Sequence, residues 1–330
     1  MQGIRKHAFR QAFEWLSTAA LALGCVAAAA EYPDKPIKVV SPYAAGNSLD
    51  IPLYQLNEFM QGAVNQQVII DHKPGAAAIL AAQQVAHAPG DGYTLLLGPM
   101  GVFVTNPHTY NKLPYSYNKS FKPVTNFMGA PLVLAVNSNL GVNSVQELVA
   151  YAKKHPGEPA YASFAAGNAS HFAGALFNRK AGITMLHVPY NGTPLQIQSL
   201  VGGQVMAAFT AFVAVQPHLS SGKVKVLATT GGARSPLMPD VPTFKELGYP
   251  ELEINMWTGL FVPASTPDAV VRRLNALVTQ ALATRPMLDK LKPLEIYPKP
   301  TTPEEFQRFI DIEYRKWGEA VRLTGFKAQE

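Results

Sequence analysis

A single cysteine, Cys25, stands in 330 residues, so no disulfide can be drawn within the chain and its stability must come from a packed core. Charge is also sparse: Asp, Glu, Lys and Arg make up 15% of the chain, and no basic run is longer than two residues. That pattern, with a net charge of only +6, argues against a nucleic-acid-binding stripe. No uncharged apolar run reaches the roughly 20 residues a membrane-spanning helix needs. Catalytic signatures are missing as well. There is no G-x-S-x-G, no H-E-x-x-H, no Walker loop and no G-x-G-x-x-G following a strand. Ser170 and His171 are neighbours, and neighbours on a helix point apart, so they cannot pair as nucleophile and base. His171 and His187 have no Asp, Glu or Cys cluster at metal-ligand spacing. No enzyme, metal site or cofactor is therefore expected.

What is present begins with an export signal. Arg5, Lys6 and Arg10 precede an apolar stretch at residues 15–26, and Ala28-Ala29-Ala30 offers small residues for cleavage. The expectation is a signal peptide over residues 1–30, cleaved after Ala30, and a periplasmic mature chain. A lipoprotein signal at Cys25 fits its spacing imperfectly. Cleavage would remove Cys25 and leave 300 residues with a net charge of +4, a balance suited to an anionic small ligand.

The mature chain repeats a strand, a loop of small residues and a helix. Strands are expected at residues 37–40, 67–71 and 93–97, with helices at 50–60 and 76–88. The rhythm restarts with the apolar strand 132–136. Helices follow at 144–154, 170–180 and 194–201, with strands at 161–163, 185–188, 204–210 and 224–229. A strand at 257–262 and two long helices, to Leu282 and from Thr302 to about Leu323, complete the chain. This alternation predicts an α/β fold of two lobes, each a mostly parallel sheet flanked by helices. Residues 31–132 plus 257–330 would form lobe 1 and residues 133–256 lobe 2, joined by two crossover strands around a ligand cleft.

Parallel sheets place ligands where strands end and helices begin. Three loops qualify. Residues 41–50 carry Tyr43, Ala44, Asn47, Ser48 and Asp50; residues 98–101 carry Pro99 and Met100; residues 161–171 carry Ser163, Phe164, Asn168 and Ser170. Small residues allow close backbone approach, and the hydroxyl and amide groups can donate to a ligand or cap a helix.

The ordered motifs resemble one family. They run from Tyr32-Pro33 through Lys73-Pro74-Gly75-Ala76 and Asp91-Gly92-Tyr93-Thr94 to Tyr161-x-Ser163 and His171. His187-Val188-Pro189-Tyr190, Gly202-Gly203-Gln204-Val205, the stretch at 234–243 and Trp257-x-Gly259-Leu260 complete them. Together they resemble the Bug family, the extracytoplasmic receptors of tripartite tricarboxylate transporters. The resemblance covers nearly all of the mature chain. It implies a Venus-flytrap binding-protein fold, membrane permease subunits as partners, a monomer, and a carboxylate gripped by two loops. By position it implies ligand contacts from Tyr43, Ala44, Asn47, Ser48, Pro99, Met100, Ser163, Phe164, Asn168, Ser170 and Thr210, with Asp50 bracing its loop. The chain departs from the family pattern where Gly46-Asn47 replaces Gly-Gly and Phe164-Ala165 replaces Ser-Gly. It also carries neutral Met206 and Thr210 where acids are common. Those departures favour an aromatic or apolar-bodied carboxylate such as terephthalate, with an aliphatic di- or tricarboxylate as the alternative. A periplasmic hydrolase is disfavoured, and a sensor kinase is an alternative partner.

Overall fold

Parallel pairing begins at β1 (Ile37–Ser41), which lies between β2 (Val68–His72) and β3 (Thr94–Pro99). In this computed structural model residues 32–328 are described; the expected signal peptide, its cleavage point and Cys25 lie outside the described residues. Two compact units divide between Asp34 and Lys35, and the second carries the sheet and its helices. Helices α1 (Asp50–Val64) and α2 (Ile79–Ala86) connect the first three strands.

The next strand organises the molecule. β4 (Phe121–Asn137) is 17 residues long and buried along almost all of its length. Beyond it run α3 (Val145–Lys154), β5 (Ala160–Ser163), α4 (Ala169–Ala181), β6 (Leu186–Pro189), α5 (Thr193–Val201), β7 (Ala207–Ala211), α6 (Phe212–Leu219) and β8 (Val224–Thr229). The chain then returns as β9 (Asn255–Pro263), α7 (Asp268–Leu282), α8 (Arg285–Leu291), β10 (Tyr297–Pro298) and α9 (Pro303–Thr324). Strand order is β2-β1-β3-β9-β4-β7-β5-β6, with β8 and β10 also paired to β4.

β4 serves two sheets in succession. Residues 121–131 pair antiparallel with β9, and residues 132–137 pair antiparallel with β7 and β8. Pro131 stands at the changeover and has no N–H to give. The Thr230 hydroxyl accepts the Leu132 N–H at 2.8 Å and the Thr230 N–H donates back to the Leu132 carbonyl at 2.8 Å, so one threonine closes the backbone pairing at that step. The expected "mostly parallel" sheets are thus parallel only at their outer strands, β1–β2–β3 and β5–β6–β7. Their centre is antiparallel because β9 lies between β3 and the first part of β4, and β7 and β8 lie against its second part.

Two other expectations change. The alanine run at 76–88 is not one helix: Ala76, Ala77 and Ala78 all have positive φ (46°, 50° and 71°), and α2 starts only at Ile79. The Asn106 side-chain amide donates to the Ala77 carbonyl at 3.0 Å, so a tertiary contact holds a left-handed bend that alanine propensity opposes. Residues 98–101 are not a loop either. Gly98 and Pro99 finish β3, paired with β9, and a tight helical turn at Gly101–Thr105 follows at once.

The capping signals act as read. Ser144 caps α3 by accepting the Glu147 N–H, and Thr302 with Glu305 forms a reciprocal capping box on α9. α9 packs Phe306 against Trp257 and Phe261, and Trp317 against Phe172 of α4, so it touches both sheets. Around Phe306 the core is aromatic. Phe103 and Phe261 stack at 3.9 Å between centroids, and Gly98 lies so close that a Cβ there would meet both rings at 2.7 Å. Removing the Phe261 ring leaves a cavity that these stacked neighbours cannot fill. Phe261→Ala is therefore expected to lower the unfolding free energy by about 3–5 kcal/mol, read from denaturant titration.

Candidate functional site

The loop after β1 is built by its own polar groups. Buried Asp50, at the start of α1, turns its carboxylate back into the loop, where Oδ2 accepts the Gly46 N–H at 2.7 Å and Oδ1 accepts Asn47 Nδ2 at 2.9 Å. Asn47 Nδ2 also donates to the Ala44 carbonyl at 2.8 Å, and Asn47 Oδ1 accepts the Leu49 N–H at 2.8 Å. The Asn47 side chain is consequently committed within the loop. His72, at the end of β2, holds the Tyr43 carbonyl at 3.0 Å through Nδ1, with its Nε2 3.9 Å from Asp50. Gly46 adopts φ +83°, a conformation that disfavours any side chain at that position.

Tyr43 leaves this loop to meet Thr258 of β9. Burial pushes its phenol up to about 12, opposed by the hydrogen bond with Thr258. Thr258 stands opposite Pro99 of β3 on one side and Met128 of β4 on the other, so Tyr43 and Pro99 come together around it. Met100 is 6% exposed and belongs to the main apolar core. Ala44 is exposed and Ser48 half-buried.

The second loop follows β5 and is equally self-braced. The Asn168 Oδ1 caps α4, accepting the Ser170 N–H at 3.0 Å, the Ser170 hydroxyl at 2.7 Å and the His171 N–H at 3.1 Å. Ser170 Oγ accepts the Phe164 N–H at 3.2 Å. Ser163 Oγ donates to the Ala165 carbonyl at 2.9 Å and lies 2.7 Å from His187 Nε2. Phe164 is half-buried, resting on the main apolar core. Gln196, fully buried on α5, donates to the Ala162 carbonyl at 3.0 Å and the Phe209 carbonyl at 2.9 Å, tying this loop's strand to the strand that carries Thr210.

Most of the hydroxyl and amide groups expected to meet a ligand are therefore occupied in shaping the loops. A few are not. Thr210 Oγ1, Asn168 Nδ2 and Ser41 Oγ are buried with no hydrogen-bond partner, as is the indole N–H of Trp257. Such groups cost roughly 1–3 kcal/mol each when left unmade. Ser41 ends β1 and Thr210 lies next to the end of β7, so two of these groups sit at the carboxyl ends of strands in both halves of the sheet. β4 connects the halves, facing Thr258 at Met128 and Thr210 at Val133. Neither loop carries a cationic side chain. Sequence reading passed over Ser41, His72, Gln196, Thr258 and the placement of His187. The available signal was a pair of polar residues, Gln196 and Ser199, buried on one helix with Ile197 and Leu200.

The family model described as "Tripartite tricarboxylate transporter family receptor" matches residues 53–326. The chain belongs to this family. It is a solute-binding receptor of α/β periplasmic-binding-protein fold, and not an enzyme. Among solved structures, R. palustris Rpa4515 with adipate superposes with a TM-score of 0.82 at 29% identity, covering 90% of this chain and 99% of that one. The periplasmic binding protein BugD gives 0.79 at 30%, covering 90% and 100%. MatC from Rhodopseudomonas palustris, with bound malate, gives 0.77 at 32%, covering 88% and 100%. This receptor family comprises periplasmic binding proteins, and among the described residues no helix is long and apolar enough to cross a membrane.

Because Asp50 satisfies two donors of its loop at once, Asp50→Ala is expected to cost about 2 kcal/mol of stability, and Asp50→Asn less, since one acceptor oxygen remains; urea unfolding of both variants measures the difference.

Proposed function

We propose that the chain captures a small, apolar-bodied dicarboxylate in the periplasm and delivers it to the permease subunits of a tripartite tricarboxylate-type transporter. A benzene dicarboxylate such as terephthalate is the foremost candidate, and a straight-chain diacid of the adipate type the next. The observation that carries this reading is the set of unpartnered buried groups, Thr210 Oγ1, Asn168 Nδ2 and Ser41 Oγ, while Asn47, Asp50, Ser163 and Ser170 are already bonded within the loops. Two of these are hydroxyls and one is an amide N–H, so all three can donate to an anion. A carboxylate supplies acceptor lone pairs on two oxygens, enough to satisfy several donors at once.

The ligand's character follows from what surrounds those groups. Neutral Thr210 and the lack of a carboxylate on the second loop leave only Asp50, already committed to the Gly46 N–H and Asn47 Nδ2, to meet an ammonium, which disfavours amino acids. Half-buried Phe164 on the second loop and half-buried Tyr43 on the first offer aromatic surface to an apolar body. Tyr43, Ala44, Ser48, Pro99, Asn168 and Thr210 are assigned to ligand contact. Asn47, Ser163 and Ser170 act chiefly by shaping the loops, with Asp50. The lobes are assigned to residues 31–132 plus 257–330 and residues 133–256, dividing where β4 passes from β9 to β7. The relatives solved with adipate and with malate support a diacid as the ligand class. Adipate shares an apolar body with terephthalate; malate does not.

Isothermal calorimetry with terephthalate, benzoate, adipate, malate, citrate and several amino acids tests the reading. Terephthalate or adipate is expected to bind tightest, and stabilisation by amino acids alone overturns the proposal. Thr210→Val removes one donor while keeping shape and is expected to weaken dicarboxylate binding about tenfold. Phe164→Ala is expected to weaken terephthalate more than adipate; equal losses would sink the aromatic assignment.

A further inference from the structure

Behind the second loop lies a pair of imidazoles that the ligand-binding reading leaves without a function. His171 of α4 and His187 of β6 stack face to face, 3.8 Å between centroids and 4° from parallel. His171 is 8% exposed, and His187 is half-buried. Each ring holds one end of the loop. His171 Nδ1 accepts the Gly167 N–H at 3.1 Å, so its own proton sits on Nε2. Ser163 has already given its hydroxyl proton to the Ala165 carbonyl, so the 2.7 Å contact with His187 is an Nε2–H donating to Ser163 Oγ. The partners fix His171 as the neutral Nε2–H tautomer and put a proton on His187 Nε2, and burial disfavours a second proton on either ring.

We propose that His171 and His187 are positioning residues that hold the 163–170 loop in its ligand-receiving shape only while both imidazoles are neutral, so that acidification loosens the loop and weakens carboxylate capture. This rests on the carboxylate reading above. Protonating His171 places a second N–H on Nδ1, facing the Gly167 N–H across 3.1 Å, and the contact turns from a hydrogen bond into opposed donors. Protonating both rings sets two cations face to face at 3.8 Å. Either event detaches the stretch that carries Phe164 and Asn168.

The surroundings give a protonated pair no relief. β5 contributes Tyr161, whose ring lies 5.1 Å from His187 and whose hydroxyl donates to the His171 carbonyl. β7 brings no titratable group. The tail after α9 presents Phe326, edge-on to His171 at 5.1 Å, and on α9 the carboxylate of Glu313 is bonded to Trp317 Nε1. Glu251, in the turn packed on α4, pairs with Lys180 at the far end of that helix. Burial accordingly lowers both imidazoles to about 4, with His171 adding to the effect on His187. A group held below its ordinary value favours the arrangement that keeps it neutral. The ordered loop therefore keeps its full advantage above about pH 6.5 and loses it progressively as the pH falls from there towards about 4.

Calorimetry with terephthalate and adipate at pH 7.5 and 5.5 tests this, run on the natural chain and on His171→Asn/His187→Gln. In that variant an amide oxygen stands in for Nδ1 of His171 and an amide N–H for Nε2 of His187, and neither titrates. The natural chain is expected to lose about tenfold in affinity between the two pH values and to release protons on binding at pH 5.5, while the variant's ratio stays within about twofold. The ligand's own ionisation cancels in the comparison. Equal pH dependence in both proteins overturns the proposal. If the variant does not fold, histidine ring resonances of the natural chain decide: titration of both rings at lower pH with ligand bound than without it supports the proposal, and the same titration in both states refutes it. Should no carboxylate bind at pH 7.5, the ligand reading fails on its own. The Gly167 amide shift in the ligand-free protein then judges the histidines: movement in step with a ring titration supports the pair's role, and constancy down to pH 4 refutes it.

Discussion

The backbone of β4 is buried for almost all of its 17 residues, and every N–H and C=O along it has to find a partner away from water. That requirement decides where everything else lies. β9 serves its first part and β7 with β8 its second, so a single buried strand belongs to both halves of the fold. At the changeover from Pro131 to Leu132, Thr230 supplies hydrogen bonds through both its hydroxyl and its backbone N–H. The strands that end in the candidate binding loops, β1 and β5, are anchored to β4 through β3 with β9 and through β7, respectively.

With the loops fixed to that frame, their chemistry is one of neutral dipoles. No lysine or arginine lies in either loop, and the net charge of +6 belongs to the whole surface, where it can draw anions by long-range attraction but cannot orient one. Orientation must come from donors that are already in place, since ordering a loose loop at the moment of binding would consume much of the affinity gained. The two loops are held by different means. A buried carboxylate, Asp50, gathers the first from within, and a neutral imidazole pair holds the second from behind.

The sequence made the periodic parts of the fold readable and left the tertiary ones obscure. Helices with caps, such as α3 behind Ser144 and α9 behind Thr302, could be placed to within a residue because a cap is a local exchange between a side chain and the next turn. β4 could be read only from 132 to 136. Its first part contains Pro123, Asn126 and Gly129, which speak against a strand until β9 lies beside it with two bulges to absorb them. Ala76–Ala78 failed for the opposite reason: local propensity favours a helix, and a hydrogen bond from Asn106, distant in sequence, overrides it. The site shows the same division. Small residues at strand ends singled out both loops as candidates. Which hydroxyls are bonded and which are free depended on Thr258, Gln196 and His187, none of them in either loop.

This distribution also separates two kinds of substitution that look alike on paper. Ser163 and Thr210 are both buried hydroxyls near strand ends, yet Ser163 has two partners while Thr210 has none. Removing the first leaves His187 Nε2–H without an acceptor and loosens a whole loop. Removing the second relieves a buried polar atom of an unmet hydrogen bond, so the ligand-free protein should lose little stability and could gain some. A group that the empty protein would be better without, retained at full burial, is best explained by something it meets in another state. For Thr210, on a strand paired directly to β4, the function proposed above makes that something the ligand.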